Sequence, residues 1–290
     1  PHLSEVERRL EVIDWSSVGE LKEAEVAEHD LLTFYHPETY RQLQSLRSYL
    51  QERERQQRLD DVDRWIQMVA CTRLSGHSSG MFSVKSLPPN QAVSAERQRK
   101  ISQKHGRVPE VKDVRAIIVR KSKSLMRKLT AEQRELLRRS DFKLLTGPAS
   151  QLDSSAGSVD LVVTSPPFLD VVDYRADHWL RSWFCGINSA DLPVGRQYSV
   201  ISWWEEFKAT LLQLKRVVRP KGMMVIEVGE IRKGEVLMED WVVELAHEVG
   251  LKVRGVLIND AQFSKTSHCW GIENHAQGTN TNRMVVLERA

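Results

Sequence analysis

From Thr130 onward the apolar pattern switches repeatedly between a period near 3.6 and a period of 2, and this alternation limits the possible fold more than any other feature of the chain. "TAEQRELLRRS" reads as a helix, "DFKLLTG" and "VDLVVTS" as strands, and "SWWEEFKATLLQLKRVVRPKG" as a helix capped by Ser202 with Glu205. "MMVIEVGE", "LKVRGVLIND" and "RMVVLERA" follow as strands, the first two separated by the helix "LMEDWVVELAHEVG". Strands that alternate with helices imply an α/β domain with a parallel-type sheet covered on both faces. No internal repeat or low-complexity tract interrupts it.

Upstream of this region the pattern is different. From Pro1 to about Leu74 it is helical. Ser4 with Glu7 forms a capping box, Pro37 stands early in "HPETYRQLQSLRSYLQERERQQ", and "DVDRWIQMVACTRL" repeats apolar residues at helical spacing. From Ser75 to about Lys128 the pattern loosens into Gly, Ser and Pro clusters with short apolar runs, which suggests an insert or recognition segment rather than core. The division is therefore 1–74 helical, 75–128 basic, and 129–290 α/β.

Charge sharpens that division. The net charge of +3 is the sum of unlike parts, since residues 73–128 carry 14 basic and 3 acidic residues while 1–72 carry 9 basic and 15 acidic. A block of positive charge suits a polyanion, because each neutralised phosphate releases counterions, and nucleic acid is the leading partner. With 290 residues, 41 % of them hydrophobic, the chain can bury a sizeable core. No apolar run is long enough for a membrane span and no secretory leader is evident, so a cytoplasmic location is expected. Cys71, Cys185 and Cys269 are far apart and never form C-x-x-C, and they read as free thiols.

"VDLVVTSPPF" ends a strand on Thr164, Ser165, Pro166, Pro167 and Phe168. Two prolines cannot donate to a sheet ladder and they fix the backbone, so the strand stops in a rigid loop. In α/β sheets the ligand lies beyond the carboxyl ends of the strands, which is where this loop falls. A Ser hydroxyl beside a fixed main-chain carbonyl can accept hydrogen bonds from an exocyclic amine, and Phe168 offers a flat face for a base.

These residues resemble the signature of the amino DNA methyltransferases, in which a strand ends in Asp, Asn or Ser followed by Pro-Pro and an aromatic. The resemblance extends through "DVVDYRADHWLRSWFCG", "LKRVVRPKGMMVIEVGE" and "TNRMVVLER", and covers about 150 residues, 141–290. It implies a partial Rossmann-like sheet, S-adenosyl-L-methionine as cofactor and double-stranded DNA as partner. It also implies a methyl acceptor at an exocyclic nitrogen and the setting of restriction and modification. Ser at the first position favours cytosine N4 over adenine N6. The resemblance gives Ser165 Oγ and the Pro166 carbonyl the task of holding the amine, and Thr164, Ser165 and Phe168 a place beside the cofactor. Phe168, Asp173 and Tyr174 line the pocket for a flipped base. No covalent intermediate is needed, and no Pro-Cys pair of the C5-cytosine type is present.

One departure stands out. The family's second signature, Asp-Pro-Phe-x-Gly-x-Gly-Thr, has no counterpart, for the chain contains neither Gly-x-Gly nor Asp-Pro. "GEIRKG", Gly229 to Gly234, reads as a loop. The chain begins at Pro1 within what resembles the helix after the missing region. The expectation is the C-terminal portion of such an enzyme, with the glycine motif on a second polypeptide, removed or lost. The basic segment then serves target recognition through Lys85, Arg97, Arg99, Lys100, Lys104 and Arg107, mostly at phosphates. "LPPN", Leu87 to Asn90, reads as a turn. His268, Cys269 and His275 lack a fourth ligand, so no metal is expected. The rivals are an N6-adenine enzyme, a methyltransferase acting on RNA or protein, and a DNA-binding subunit or remnant without catalysis.

Overall fold

The computed structural model describes residues 1–16, 30–86, 93–167, 169, 173–188, 191, 199–231, 236–260 and 281–290. The chain divides into two compact units, Pro1–Ser140 with Tyr174–Val194, and Asp141–Asp173 with Gly195–Ala290. These units divide the chain at other points than the three sequence segments do. Residues 1–74 and 75–128 fall in one unit, and Tyr174–Val194 joins them.

The first unit is helical. Its elements are α1 (Leu3–Glu11), α2 (Pro37–Arg55), α3 (Asp61–Cys71), α4 (Ala95–Lys104), α5 (Val114–Met126), α6 (Ala131–Arg139) and α7 (Tyr174–Cys185). α1 starts earlier than the Ser4–Glu7 box implies. The Glu5 carboxylate accepts the His2 backbone N–H, placing the cap two residues upstream. Pro37 occupies the first turn of α2, where its missing N–H costs nothing, and His36 Nδ1 accepts the Glu38 N–H at 3.2 Å. α1, α2 and α3 bury Leu10, Leu43, Leu46, Leu50, Ile66 and Val69 in one core. The basic segment shares that core, contrary to its reading as an insert. Phe82, Val114, Ile117, Ile118 and Met126 are buried in it, because α5 carries its apolar residues at helical spacing between the cations. Leu180 and Phe184 of α7 complete it.

Buried charge ties three of these helices together. Asp63 of α3 is fully buried and receives Arg9 of α1 and Arg53 of α2, the latter at 2.6 Å. Asp60 caps α3 by accepting the Val62 and Asp63 N–H groups and pairs with Arg9 at 2.6 Å. Arg9 holds the Asp60 carboxyl down at about 2.

The second unit is α/β. It contains β1 (Val159–Thr164), α8 (Val200–Val217), β2 (Val218–Val228), β3 (Glu230–Ile231), β4 (Val236–Leu237), α9 (Met238–Glu248), β5 (Lys252–Asp260) and β6 (Thr281–Glu288). Four strands pair in the order β1-β2-β6-β5, with β1 parallel to β2 and β6 antiparallel to both neighbours. The α/β class holds, but the sheet is mixed. β3 and β4 pair as a separate two-stranded ribbon, and β3 lies within Gly229 to Gly234, the stretch read as a loop. "DFKLLTG" forms no strand, and Phe142 and Leu144 are exposed. α8 begins at Ser199, whose Oγ accepts the Ser202 N–H at 3.2 Å, so the cap lies three residues before the expected one. Gly222 is required at the irregularity of β2 between Val218 and Met223, where the register with β1 shifts: a Cβ there would lie 2.5 Å from Val218 Cγ1 and 2.9 Å from the Arg219 carbonyl oxygen.

Within this unit the helices cover one face of the sheet. Met224, Ile226 and Val228 of β2 and Val285 and Leu287 of β6 pack with Phe207, Leu211 and Leu214 of α8 and Val242 and Leu245 of α9. Leu161 and Val163 pair with Met223 and Val225 and point to the opposite face, where they are 55 % and 71 % exposed. The expected covering of both faces is thus absent among the described residues. No described helix is long and apolar enough to cross a membrane.

Candidate active-site loop and basic face

β1 delivers Thr164 and Ser165 to the carboxyl edge of the sheet. Thr164, its last residue, pairs with Ile226, and the ladder ends there because Pro166 and Pro167 lack N–H donors. The loop is then fixed from two sides. Trp203 Nε1 donates to the Pro167 carbonyl at 2.9 Å, and Leu169 is fully buried in the core beneath α8 and α9. Pro166 is buried while Ser165 is exposed. Among the described residues, neither the Ser165 hydroxyl nor the Pro166 carbonyl enters a hydrogen bond, so both acceptors remain available. Phe168 lies outside the described residues.

Trp203 is the residue that sequence reasoning missed. It was legible in part: Trp203, Phe207, Leu211 and Leu214 recur at helical spacing and form the buried face of α8. Packing against Phe207 and Trp241, with ring centroids 5.0 and 5.7 Å away, sets its indole so that Nε1 reaches the loop. A Trp N–H needs a partner when buried, and no pattern in the sequence says which carbonyl it finds.

The proposed base-pocket residues fall at a junction. Asp173 ends a segment of the second unit, and Tyr174 is the first residue of α7 in the other. Tyr174 stacks with His178 at 6.4 Å between centroids. Burial, aided by Arg181, pushes the His178 imidazolium below its ordinary pKa, and His178 Nδ1 lies 2.8 Å from Arg181 Nη1. At the other end of α7, Cys185 Sγ lies 3.5 Å from Cys71 Sγ of α3, and both are free thiols. Hydrogen bonding from Cys71 lowers the Cys185 thiol, and the same contact with burial raises Cys71.

All six proposed DNA-binding cations lie in the first unit. Arg97, Arg99, Lys100 and Lys104 belong to α4, whose N-cap Ser94 accepts the Arg97 N–H. Arg99 is paired with Asp30, and Lys100 with Glu96 at 2.6 Å. Lys85 and Arg107 instead border a shared cavity. His268, Cys269 and His275, like Leu87 to Asn90, are outside the described residues. Among the described residues no group of three or more His, Cys, Asp or Glu is arranged to hold a metal ion.

No family model matches the chain, and no curated protein matches it. Solved structures do. A protein of Thermus thermophilus, assigned as a DNA modification methylase and crystallised with S-adenosyl-L-methionine, aligns with a TM-score of 0.32 and 18 % identity over 50 % of this chain and 54 % of its own. PvuII DNA methyltransferase, cytosine-N4-specific, gives 0.32 and 15 % over 50 % and 48 %. A SAM-dependent methyltransferase from Methanosarcina mazei gives 0.28 and 9 % over 55 % and 78 %. The chain spans about half the length of the first two.

Proposed function

We propose that the chain is the acceptor-binding part of a DNA methyltransferase that modifies the exocyclic N4 of cytosine, with S-adenosyl-L-methionine as methyl donor. The observation that carries this reading is the clamped loop. Ser165 is presented, with an available carbonyl beside it, at the carboxyl end of a parallel strand. The loop cannot drift, because Pro166 is buried and Pro167 is held by Trp203.

The chemistry follows from what those groups can do. An exocyclic amine conjugated with its ring is planar and a poor nucleophile. Two acceptors on its N–H bonds draw it toward tetrahedral geometry and turn its lone pair outward. Ser165 Oγ and the Pro166 carbonyl are such a pair, and both are acceptors for a neutral donor. Most of the rate then comes from orientation, since a well-placed attack replaces a bimolecular encounter. The cofactor, when bound, supplies an electrophilic methyl on a sulfonium. A base inside a duplex must be flipped out to reach the loop, and Phe168, Asp173 and Tyr174 are proposed to receive it. Cytosine is favoured by Ser165; N6-methyladenine would be the sign of the alternative.

The residues present fit the acceptor side of such a site, and Thr164 and Ser165 are proposed to border the donor. They do not form the cradle for its methionine end, since no two glycines are spaced to let backbone approach it. We propose that a further segment or a second polypeptide carries that cradle and adds to the sheet beside β1. In support, β1 is an edge among the described strands, and its Leu161 and Val163 are exposed, which is unusual for a strand in parallel pairing.

Calorimetric titration with S-adenosyl-L-methionine tests this reading, on the chain alone and with the polypeptide encoded immediately upstream. Binding only in the combined sample, with methyl transfer to DNA, is the expected result. An absence of binding and transfer in both samples would leave a DNA-binding protein without catalysis.

A further inference from the structure

The six cations assigned to DNA are not equivalent in the structure. Arg99 and Lys100 are each committed to a carboxylate on or beside α4. Lys85 and Arg107 make no ion pair among the described residues, and both line a cavity of about 440 Å³ in the first unit, with Ser78, Ser79 and Lys112.

Its walls are set by the fold. On one side, the loop holding Ser78 to Lys85 is pinned by backbone bonds from Phe82 to Arg73, Val84 to Phe34 and Ser86 to Gly76, at 2.9, 2.8 and 3.0 Å. Phe82 is buried as well. On the other side, Lys112 and Thr39 exchange two bonds, at 2.7 and 3.0 Å, and the Arg107 N–H donates to the Ser102 carbonyl at 2.9 Å. The backbone that carries the lining side chains is thus fixed, and less order is lost on that side when a ligand binds.

The charge inside is unbalanced. Glu110 is the one carboxylate on the lining, and Lys112 takes it at 2.8 Å. The same carboxyl is lowered by that bond and, more weakly, by Lys85, which places all three groups in one field. Arg107 Nη1 is buried and has no acceptor. A buried charged donor without an acceptor is costly, and a shift of the side chain toward the cavity would let a bound anion accept from it. Ser78 and Ser79 add neutral donors. Two cations in excess and hydroxyl donors suit an anion, and under the DNA reading that anion is a backbone phosphodiester.

The geometry points to a binding site for one phosphodiester of the DNA backbone, gripped jointly by Lys85 and Arg107. It fixes the position of the duplex and reads no sequence. This rests on the DNA reading above but is separable from it.

The test is the salt dependence of duplex binding, measured by fluorescence anisotropy for the wild type, Lys85→Gln, Arg107→Gln and the double variant. Lys143→Gln, a paired surface cation of the second unit, serves as control. Each single variant is expected to reduce the slope of log K against log salt by about 1, and the double variant also by about 1, because one phosphate is lost in every case. Affinity at about 0.15 M salt should fall about tenfold in the double variant, with an unchanged melting temperature and an unchanged control. An unaltered slope in the double variant, while wild type binds, overturns the site. A loss of about 2 in the double variant overturns the shared grip, since it means two phosphates. Inorganic phosphate provides a second arm. If it raises the melting temperature of wild type but not of the double variant, and the DNA slope is unaltered, the site belongs to free phosphate. Wild-type protein that binds no duplex at any salt contradicts the DNA reading itself.

Discussion

At the residue scale, the loop from Thr164 to Pro167 was readable because its constraint is covalent: proline has no N–H to donate. The indole that fixes it was not, since the contact joins residues 36 positions apart. Trp203→Phe keeps most of the packing and removes that one hydrogen bond. It is expected to destabilise the protein by about 1 kcal/mol and to lower kcat at least tenfold with little change in KM. Steady-state methyl transfer beside urea unfolding checks both, and an unchanged kcat would show that the bond does not position the loop. The free thiols were also legible, though not their proximity. Because the contact between the two thiols holds Cys185 below the ordinary thiol value and Cys71 above it, the thiolate forms first at Cys185. Iodoacetamide at about pH 8 should label Cys185 ahead of Cys71 in peptide mass maps, and the reverse order would contradict this.

At the element scale, helices with strong periodicity and a cap were placed well, and their starts were missed by two or three residues. α1 and α8 show why. Several Ser, His and Glu side chains compete as caps within one turn, and packing of the apolar face selects among them. "DFKLLTG" has the pattern of a strand, but pairing needs a neighbour, and none is present among the described residues. The Arg9–Asp63–Arg53 network has no sequence signature, as it joins three helices. Asp63→Asn leaves two guanidinium groups facing an amide and should cost about 3 kcal/mol, read from the urea midpoint. Its neighbour Asp60 gives this unit a pH dependence. The folded value is depressed to about 2, below the usual carboxylate range, so its contribution is full above about pH 4 and is lost as pH falls from about 4 toward about 2. A melting temperature that falls over that window, and falls less in Asp60→Asn, is the expected outcome.

At the scale of the whole molecule, the α/β class followed from the order of helices and strands, while the mixed sheet did not. Local pattern gives each strand's existence, and direction depends on connections. The exposure of Leu161 and Val163 could not be foreseen either, because both read as buried residues of a strand with neighbours on both sides. Exposed as they are, they should bind an apolar dye such as ANS, and Leu161→Thr with Val163→Thr should reduce its fluorescence without lowering the melting temperature. Fluorescence equal to wild type would place the dye elsewhere. Whether Ser165 and the Pro166 carbonyl hold a cytosine amine for methylation is tested by nucleoside mass analysis of DNA from cells expressing the whole encoded protein. N4-methylcytosine is expected with wild type and is expected to be absent with Ser165→Ala. No methylated base with wild type, or an equal amount with Ser165→Ala, would contradict that role.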